Sequence, residues 1–180
     1  MRPGNFLNCV DTPKERFNAL RRHDNLPFTV DDQGGKWQEF SLDDAFSLRV
    51  MLDLMGGDGI AQNEADQLKG LPPAYAAKVV ENCLFDCDVH PLDMPADADL
   101  WFAVVIFEDV NTDGTALRFS RWFAGPMSEF PAWVSAEAAS WANCVPVRTC
   151  LVNAARAAQF VRKRAAELKL PEANEVFGGR

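Results

Sequence analysis

Histidine is scarce in this chain of 180 residues, which has two, His23 and His90. The motifs GxSxG and HExxH and a glycine-rich phosphate loop are also missing. Because general acid–base catalysis most often uses histidine, few candidates for such a mechanism remain. We therefore expect a protein that is not an enzyme and that has neither catalytic residues nor a cofactor.

Long apolar runs are missing as well. No stretch approaches the roughly 18 to 20 apolar residues that cross a bilayer, and the N-terminal segment MRPGNFLNCVD lacks the apolar centre of a signal peptide. We expect a cytoplasmic protein of bacterial type with no membrane partner. The five cysteines are an odd number, which favours reduced thiols.

The composition is that of a globular protein, with 48% hydrophobic and 24% charged residues. The formal net charge of −8 argues against wholesale coating of nucleic acid. A local basic face is still possible, because salt screens electrostatic fields within roughly 8 to 10 Å.

A segment rich in proline and aspartate, DVHPLDMPADAD at 88–99, divides the chain. We predict an α+β fold with a helical domain at 1–88, a linker at 89–99 and a second domain at 100–180. In the first domain, Thr12 and Pro13 predict the N-cap and first position of a helix at 12–23. A hairpin with Gly34-Gly35 at its tip and a helix capped by Ser41 follow, and further helices are predicted at about 61–68 and 73–85.

The second domain has a clearer β pattern. The segments LWFAVVIFEDV and ALRFSRWFAG flank NTDG, which predicts an antiparallel β-hairpin. Short helical pieces are expected in SEFPAWVSAEAASWANC. The longest helix of the chain is predicted at about 148–170, with an alanine-rich apolar stripe.

The order of helix, hairpin and Ser-capped helix resembles the winged helix-turn-helix of the MerR family of bacterial DNA-binding regulators, and more loosely that of phage excisionases. RFNALRRHDNLP at 16–27 is similar to the family pattern TLRYYERIGLLP, and WQEFSLDDAFSLRVML resembles YRLYSEEDVERLRFI. GIAQNEADQLK at 59–69 is similar to GFSLEEIRELL. The resemblance covers about residues 5–70 and implies DNA binding. Because about a dozen residues precede Thr12, we expect the family's first helix to be missing or very short.

Basic residues cluster in the predicted recognition helix. Lys14, Arg16, Arg21 and Arg22 are opposed there by Glu15 alone, and such a helix can enter the major groove of double-stranded DNA. The alternative is a solvated helix end whose cations suit the helix dipole. The residues expected to contact DNA, including two at the wing, are Thr12, Lys14, Arg16, Asn18, Arg21, Arg22, His23, Lys36 and Trp37.

Three further groups have competing interpretations. Cys83, Cys87 and His90 could bind zinc, but their spacing favours packing on a helix, so we predict no metal site. The aromatic residues of the second domain form either its core or a ligand pocket or a docking face; they are Trp101, Phe102, Phe107, Phe119, Trp122, Phe123 and Trp133. The cations of the last helix form a solvated face or a second phosphate contact; they are Arg156, Arg162, Lys163, Arg164 and Lys169.

The sequence thus favours a DNA-binding transcriptional regulator. Palindromic sites require a two-fold partner, so we expect a homodimer, and the alanine-rich stripe is a candidate surface for it. A protein partner could bind the C-terminal domain. Two alternatives are a prophage-type protein-interaction adaptor and a small-molecule sensor with its pocket in the C-terminal domain.

Overall fold

A computed structural model describes residues 1–30, 38–56, 70–95, 97–110, 115–141 and 144–174. Within these ranges the chain is α+β, with six α-helices and one three-stranded antiparallel sheet, which confirms the predicted class. The helices are α1 (Pro3–Val10), α2 (Lys14–Arg22), α3 (Leu42–Leu54), α4 (Pro73–Phe85), α5 (Phe130–Ala139) and α6 (Ala154–Glu167). The strands are β1 (Trp101–Val110), β2 (Ala116–Gly125) and β3 (Cys144–Asn153). None of the described helices is long and apolar enough to span a membrane.

The predicted hairpin of β1 and β2 is confirmed. The two strands pair antiparallel from Trp101 opposite Gly125 onward, and β1 lies in the middle of the sheet order β2-β1-β3. Its apolar sequence suits this position, because a central strand covered on both faces has no solvated side. Tyr75 of α4 donates a hydrogen bond to Ser120 on one face of the sheet, and Phe123 packs against α5 on the other.

The prediction of a helix starting near residue 148 is wrong, because residues 144–153 form the third strand. β3 pairs with β1, with Ile106 opposite Arg148 and a register shift after that pair. β-branched residues such as Val147 and Thr149 suit a strand, and the free edge of β1 supplies its hydrogen-bond partners. The helix begins at Ala154 instead, where the side chain of Asn153 accepts a hydrogen bond from the Arg156 N–H.

One hydrophobic core joins elements from both halves of the chain. It includes Phe6 of α1, Leu48 of α3, Val80 of α4, Phe102 of β1 and Val161 of α6. Residues on both sides of segment 89–99 therefore share this core, and the domain boundary expected there stays a prediction. The aromatic residues of the second half differ in burial, since Phe102 is fully buried whereas Trp122 is 38% exposed.

The alanine-rich stripe of α6 lies inside this core. Of the residues in the predicted stripe, Ala154, Ala155, Ala158, Val161 and Ala165 are 0 to 3% exposed and pack within the chain itself, whereas Leu151 lies on β3 and is 41% exposed. The alanines of the stripe are therefore not exposed for contact with a second copy. The homodimer itself stays a prediction, and it requires another surface.

The predicted cap at Ser41 is confirmed and includes a second, reciprocal bond. The Asp44 N–H donates to Ser41 Oγ at 2.9 Å, and the Ser41 N–H donates to Asp44 Oδ2 at 2.8 Å. This capping box satisfies two backbone donors at the start of α3. The helix predicted at 73–85 is confirmed as α4, whereas the one predicted at 61–68 lies outside the described residues.

Candidate nucleic-acid interface

The candidate interface is built on two short helices joined by a three-residue turn. The eight residues of α1 end at Val10, the C-cap residue Asp11 adopts a left-handed conformation with φ 59°, and α2 begins after Pro13. Aspartate tolerates this conformation better than most residues, so the chain can reverse there without glycine. The rings of Phe6 and Phe17 meet edge to face, with centroids 5.5 Å apart, and join α1 to α2. The expectation that a first helix is missing or very short is thus corrected to a helix of two turns.

The orientation of α2 follows from its two buried residues. Phe17 is 5% and Leu20 is 6% exposed, which confirms the predicted inner face. At about 100° per residue, Glu15, Asn18 and Arg22 project to the opposite side, with Lys14 at its margin, and all four are exposed. The outward face therefore combines Arg22 and an amide side chain with the carboxylate of Glu15, and Lys14 lies at its edge.

Arg21, His23 and Arg16 lie near the margins of this face. Arg21 and His23 are exposed, whereas Arg16 is half-buried, and burial lowers the pKa of its guanidinium. The structure thus leaves Arg16 closer to the protein interior than the other basic residues of α2.

Thr12 lies in the turn before α2 and does not occupy the N-cap position that the sequence predicts. Pro13 takes the N-cap position of α2 and no side chain caps the helix, so the expectation that Thr12 is the N-cap is wrong. Thr12 is 8% exposed, and its N–H donates to the carbonyl of Leu7. Its side chain therefore belongs to the turn and is not presented on the outward face of α2.

The basic residues on the outside of α2 are not used by the fold. In the described part of the chain, neither Lys14 nor Arg21 nor Arg22 forms an ion pair. Because these three charges are not paired with any described residue, they are candidates for contact with a polyanionic partner.

Three of the four cations of α6 are in contrast engaged in internal contacts. Arg162 donates to the carbonyls of Leu92 and Ala173 and pairs with Asp93, and Lys163 and Arg164 both pair with Glu167. Arginines that hold backbone carbonyls stabilise the fold and leave few donors for another partner. This arrangement favours a structural role for these three side chains over a second phosphate contact.

The C-terminal end of α2 borders a groove that the sequence analysis missed. A cavity of about 540 Å³ is lined by Arg21, Asp24, Glu81 and a largely apolar segment at 26–30. Asp24 follows α2 with φ 53°, and Glu81 comes from α4, about sixty residues away in sequence. The two carboxylates make this end of α2 electrostatically mixed, and Glu15 does the same in its first turn, so carboxylates lie beside the basic side chains at both ends of the helix.

The expected wing cannot be compared with this geometry. Lys36 and Trp37 lie outside the described residues, as do Gly34-Gly35 and the acidic pair Asp31 and Asp32. Their contribution to a DNA-binding surface stays a prediction.

Cys83, Cys87 and His90 make ordinary protein contacts. Cys87 Sγ donates to the Cys83 carbonyl, and burial raises the pKa of the Cys87 thiol to about 11. His90 Nε2 lies 2.9 Å from Asp43, and its Nδ1 accepts the Leu92 N–H. In the described ranges, no three His, Cys, Asp or Glu side chains are grouped closely enough to hold a metal ion.

Comparison with known proteins adds no relative. No family model matches this chain, and no curated protein is significantly similar to it.

Proposed function

We propose that this chain is a transcriptional regulator that binds double-stranded DNA through α2, in the manner of a winged helix-turn-helix of MerR type. The observation that carries the proposal is the exposed row of Lys14, Asn18 and Arg22, at i, i+4 and i+8 on α2, in which neither Lys14 nor Arg22 forms an ion pair with a described residue. The preceding helix α1 and the tight turn support the proposal, because in a helix-turn-helix the second of two such helices enters the groove.

The dimensions and chemistry of α2 suit the major groove. With its side chains an α-helix is about 10 to 12 Å across, and the groove is about 12 Å wide. Arg22 can donate two hydrogen bonds to a guanine edge, and Asn18 can both donate to and accept from adenine. Lys14, at the first helical position, is suited to a phosphate contact.

The charge distribution limits how strong this binding can be. The net charge of −8 repels DNA, and Asp24 and Glu81 border the end of α2. On DNA without a specific site, where Lys14, Arg21 and Arg22 would each contact one phosphate and Arg22 would contact no base edge, log K should fall against log salt with a slope of about −2.7 per protomer. We therefore expect binding that is measurable at low salt and weak at physiological salt for a single protomer.

A homodimer in the cytoplasm would complete this function. Two copies would place two α2 helices in successive major grooves, about 34 Å apart, and would read a palindromic site. The dimer would have to use a surface other than the buried stripe of α6.

The test is a salt series of fluorescence anisotropy with pooled genomic DNA fragments. Wild type is compared with Arg22→Gln and with Arg118→Gln, which removes the same charge from a 69% exposed arginine on β2. We expect the slope of Arg22→Gln to be shallower by about one unit per protomer, while Arg118→Gln behaves as wild type. Absence of binding at low salt, or equal slopes in the two variants, would overturn the proposal.

A protein-interaction adaptor is the second candidate, and one observation favours it. Val145, Val147 and Leu151 of the edge strand β3 are 51%, 45% and 41% exposed. An edge strand with exposed apolar side chains can accept a further strand from a partner. This candidate predicts that the salt series detects no DNA binding, so the same experiment separates the two functions.

A further inference from the structure

A cavity of about 270 Å³ lies where α3, the end of β3 and the beginning of α6 meet. It is remote in sequence from the candidate DNA-binding helix and combines charged with apolar walls. Its lining residues are Arg49, Asp53, Val152, Asn153, Arg156, Ala157 and Phe160. Small-molecule sites typically have this combination of apolar surface and a few convergent polar groups.

Three hydrogen bonds position Arg49 in the wall of the cavity. Its Nε and Nη2 donate to the two carboxylate oxygens of Asp53 at 3.2 and 2.8 Å, and its Nη1 donates to the Val10 carbonyl at 3.3 Å. The guanidinium also lies 4.6 Å from the centre of the Phe160 ring. A guanidinium has five N–H donors, so two of them remain for a ligand.

The electrostatic balance of the cavity is positive by one charge. Asp53 neutralises Arg49, whereas the side chain of Arg156 is exposed and forms no ion pair with any described residue. The Oδ1 atom of Asn153 accepts the Arg156 N–H, which leaves the Nδ2 group of Asn153 as a further donor. The cavity can therefore accept one negative charge.

An anion in this cavity would be held by the side chains that line it and not by the backbone N–H groups at the start of α6. The N–H groups of Ala154 and Ala155 donate to the Leu100 carbonyl, and the third is capped by Asn153. The first backbone donors of the helix are thus already satisfied. Recognition must come from Arg156, Asn153 and the remaining donors of Arg49.

We propose that this cavity binds a small organic monocarboxylate. Its carboxylate pairs with Arg156 and accepts hydrogen bonds from Asn153 and Arg49, while its hydrocarbon part lies against Val152 and Phe160. At about 30 Å³ for each water-sized unit, the cavity has room for about nine non-hydrogen atoms. A phosphate dianion fits less well, because its second charge would be unpaired and close to Asp53.

The cavity is connected to the candidate DNA-binding helix by one hydrogen bond. Val10, whose carbonyl accepts from Arg49, is the last residue of α1 and directly precedes the turn to α2. A ligand that draws Arg49 toward its carboxylate weakens this bond. This step rests on the proposed function. If the chain binds DNA through α2, the carboxylate is an effector that alters its DNA affinity.

Isothermal titration calorimetry tests the site without DNA. The probes are benzoate, hexanoate and acetate, with hexylamine and inorganic phosphate as comparisons at constant ionic strength. We expect benzoate and hexanoate to bind more tightly than acetate, and hexylamine not to bind. Arg156→Gln should weaken benzoate binding about tenfold or more, whereas Arg118→Gln should not change it. No heat with any carboxylate, equal benzoate affinity in Arg156→Gln, or tighter binding of phosphate would overturn the site.

Anisotropy with and without saturating benzoate then tests the effector role. A change in DNA affinity that disappears in Arg156→Gln supports it. Benzoate binding with unchanged DNA affinity refutes the effector role and leaves the site established. If the protein binds no DNA, the proposed function fails, and calorimetry still decides whether the carboxylate site exists.

Discussion

Phe6 is the residue whose truncation should most directly disrupt the helix pair. Its side chain is fully buried and stacks on Phe40 with ring centroids 4.1 Å apart. It also meets Phe17 and Phe28 edge to face at 5.5 and 6.0 Å. Removing a buried phenylalanine ring typically costs about 3 to 5 kcal/mol, from lost transfer free energy and the cavity left behind. Because three aromatic contacts are lost together, we expect the free energy of unfolding of Phe6→Ala to fall by about 4 kcal/mol.

Equilibrium unfolding in urea measures this loss. With a slope of about 2 kcal/mol per molar urea, the midpoint should fall by about 2 M. Phe85→Ala is the matched control, because Phe85 is 81% exposed and its truncation should change the stability by less than about 0.5 kcal/mol. Phe6→Leu retains much of the volume and should lie between the two, which keeps the comparison measurable if Phe6→Ala does not fold. Equal midpoints for Phe6→Leu and Phe85→Ala would refute the assignment of Phe6 to the core that joins α1 and α2.

Two further predictions concern α3. Ser41→Ala should lower the stability by about 1 kcal/mol in thermal unfolding, because it removes the side-chain half of the capping box. Ser140→Ala, which removes only an exposed bond to the carbonyl four residues earlier, should change it by less than about 0.5 kcal/mol, and equal losses would contradict the role of the cap. Burial raises the pKa of Asp53 and Arg49 opposes that rise, so Arg49→Gln should raise this pKa further in a carbon NMR titration. The folded state binds the Asp53 proton more tightly than the unfolded state does. The stability that this proton contributes therefore falls as pH rises from the ordinary pKa of aspartate through the raised pKa, and Arg49→Gln should extend that fall to higher pH. An unchanged titration of Asp53 would contradict its pairing with Arg49.

Features that depend on neighbouring residues were predictable from the sequence. Ser41 caps α3 through a residue three positions away, and α4 begins at Pro73 as its helix-start pattern indicates. The pairing of β1 with β2 followed from two apolar segments separated by a short turn sequence. The inward face of α2 followed from Phe17 and Leu20 alone. In each case the interacting residues are a few positions apart or are joined by one turn, so the residue types in one short segment are enough to predict the structure.

Features that depend on residues far apart in the chain were decided only by the tertiary structure. Residues 148–153 are a strand because the edge of β1 offers hydrogen-bond partners about forty residues away, which no helical periodicity can reveal. The pairing of charged side chains was also decided by the tertiary structure, because the sequence shows similar clusters of basic residues in α2 and in α6. Only the fold brings Leu92 and Asp93 to Arg162 while leaving Arg22 exposed, because pairing depends on which carbonyls and carboxylates lie within hydrogen-bond distance. The sequence thus determined which segments are basic, and the packing of distant elements decided which of those charges remain available to a partner.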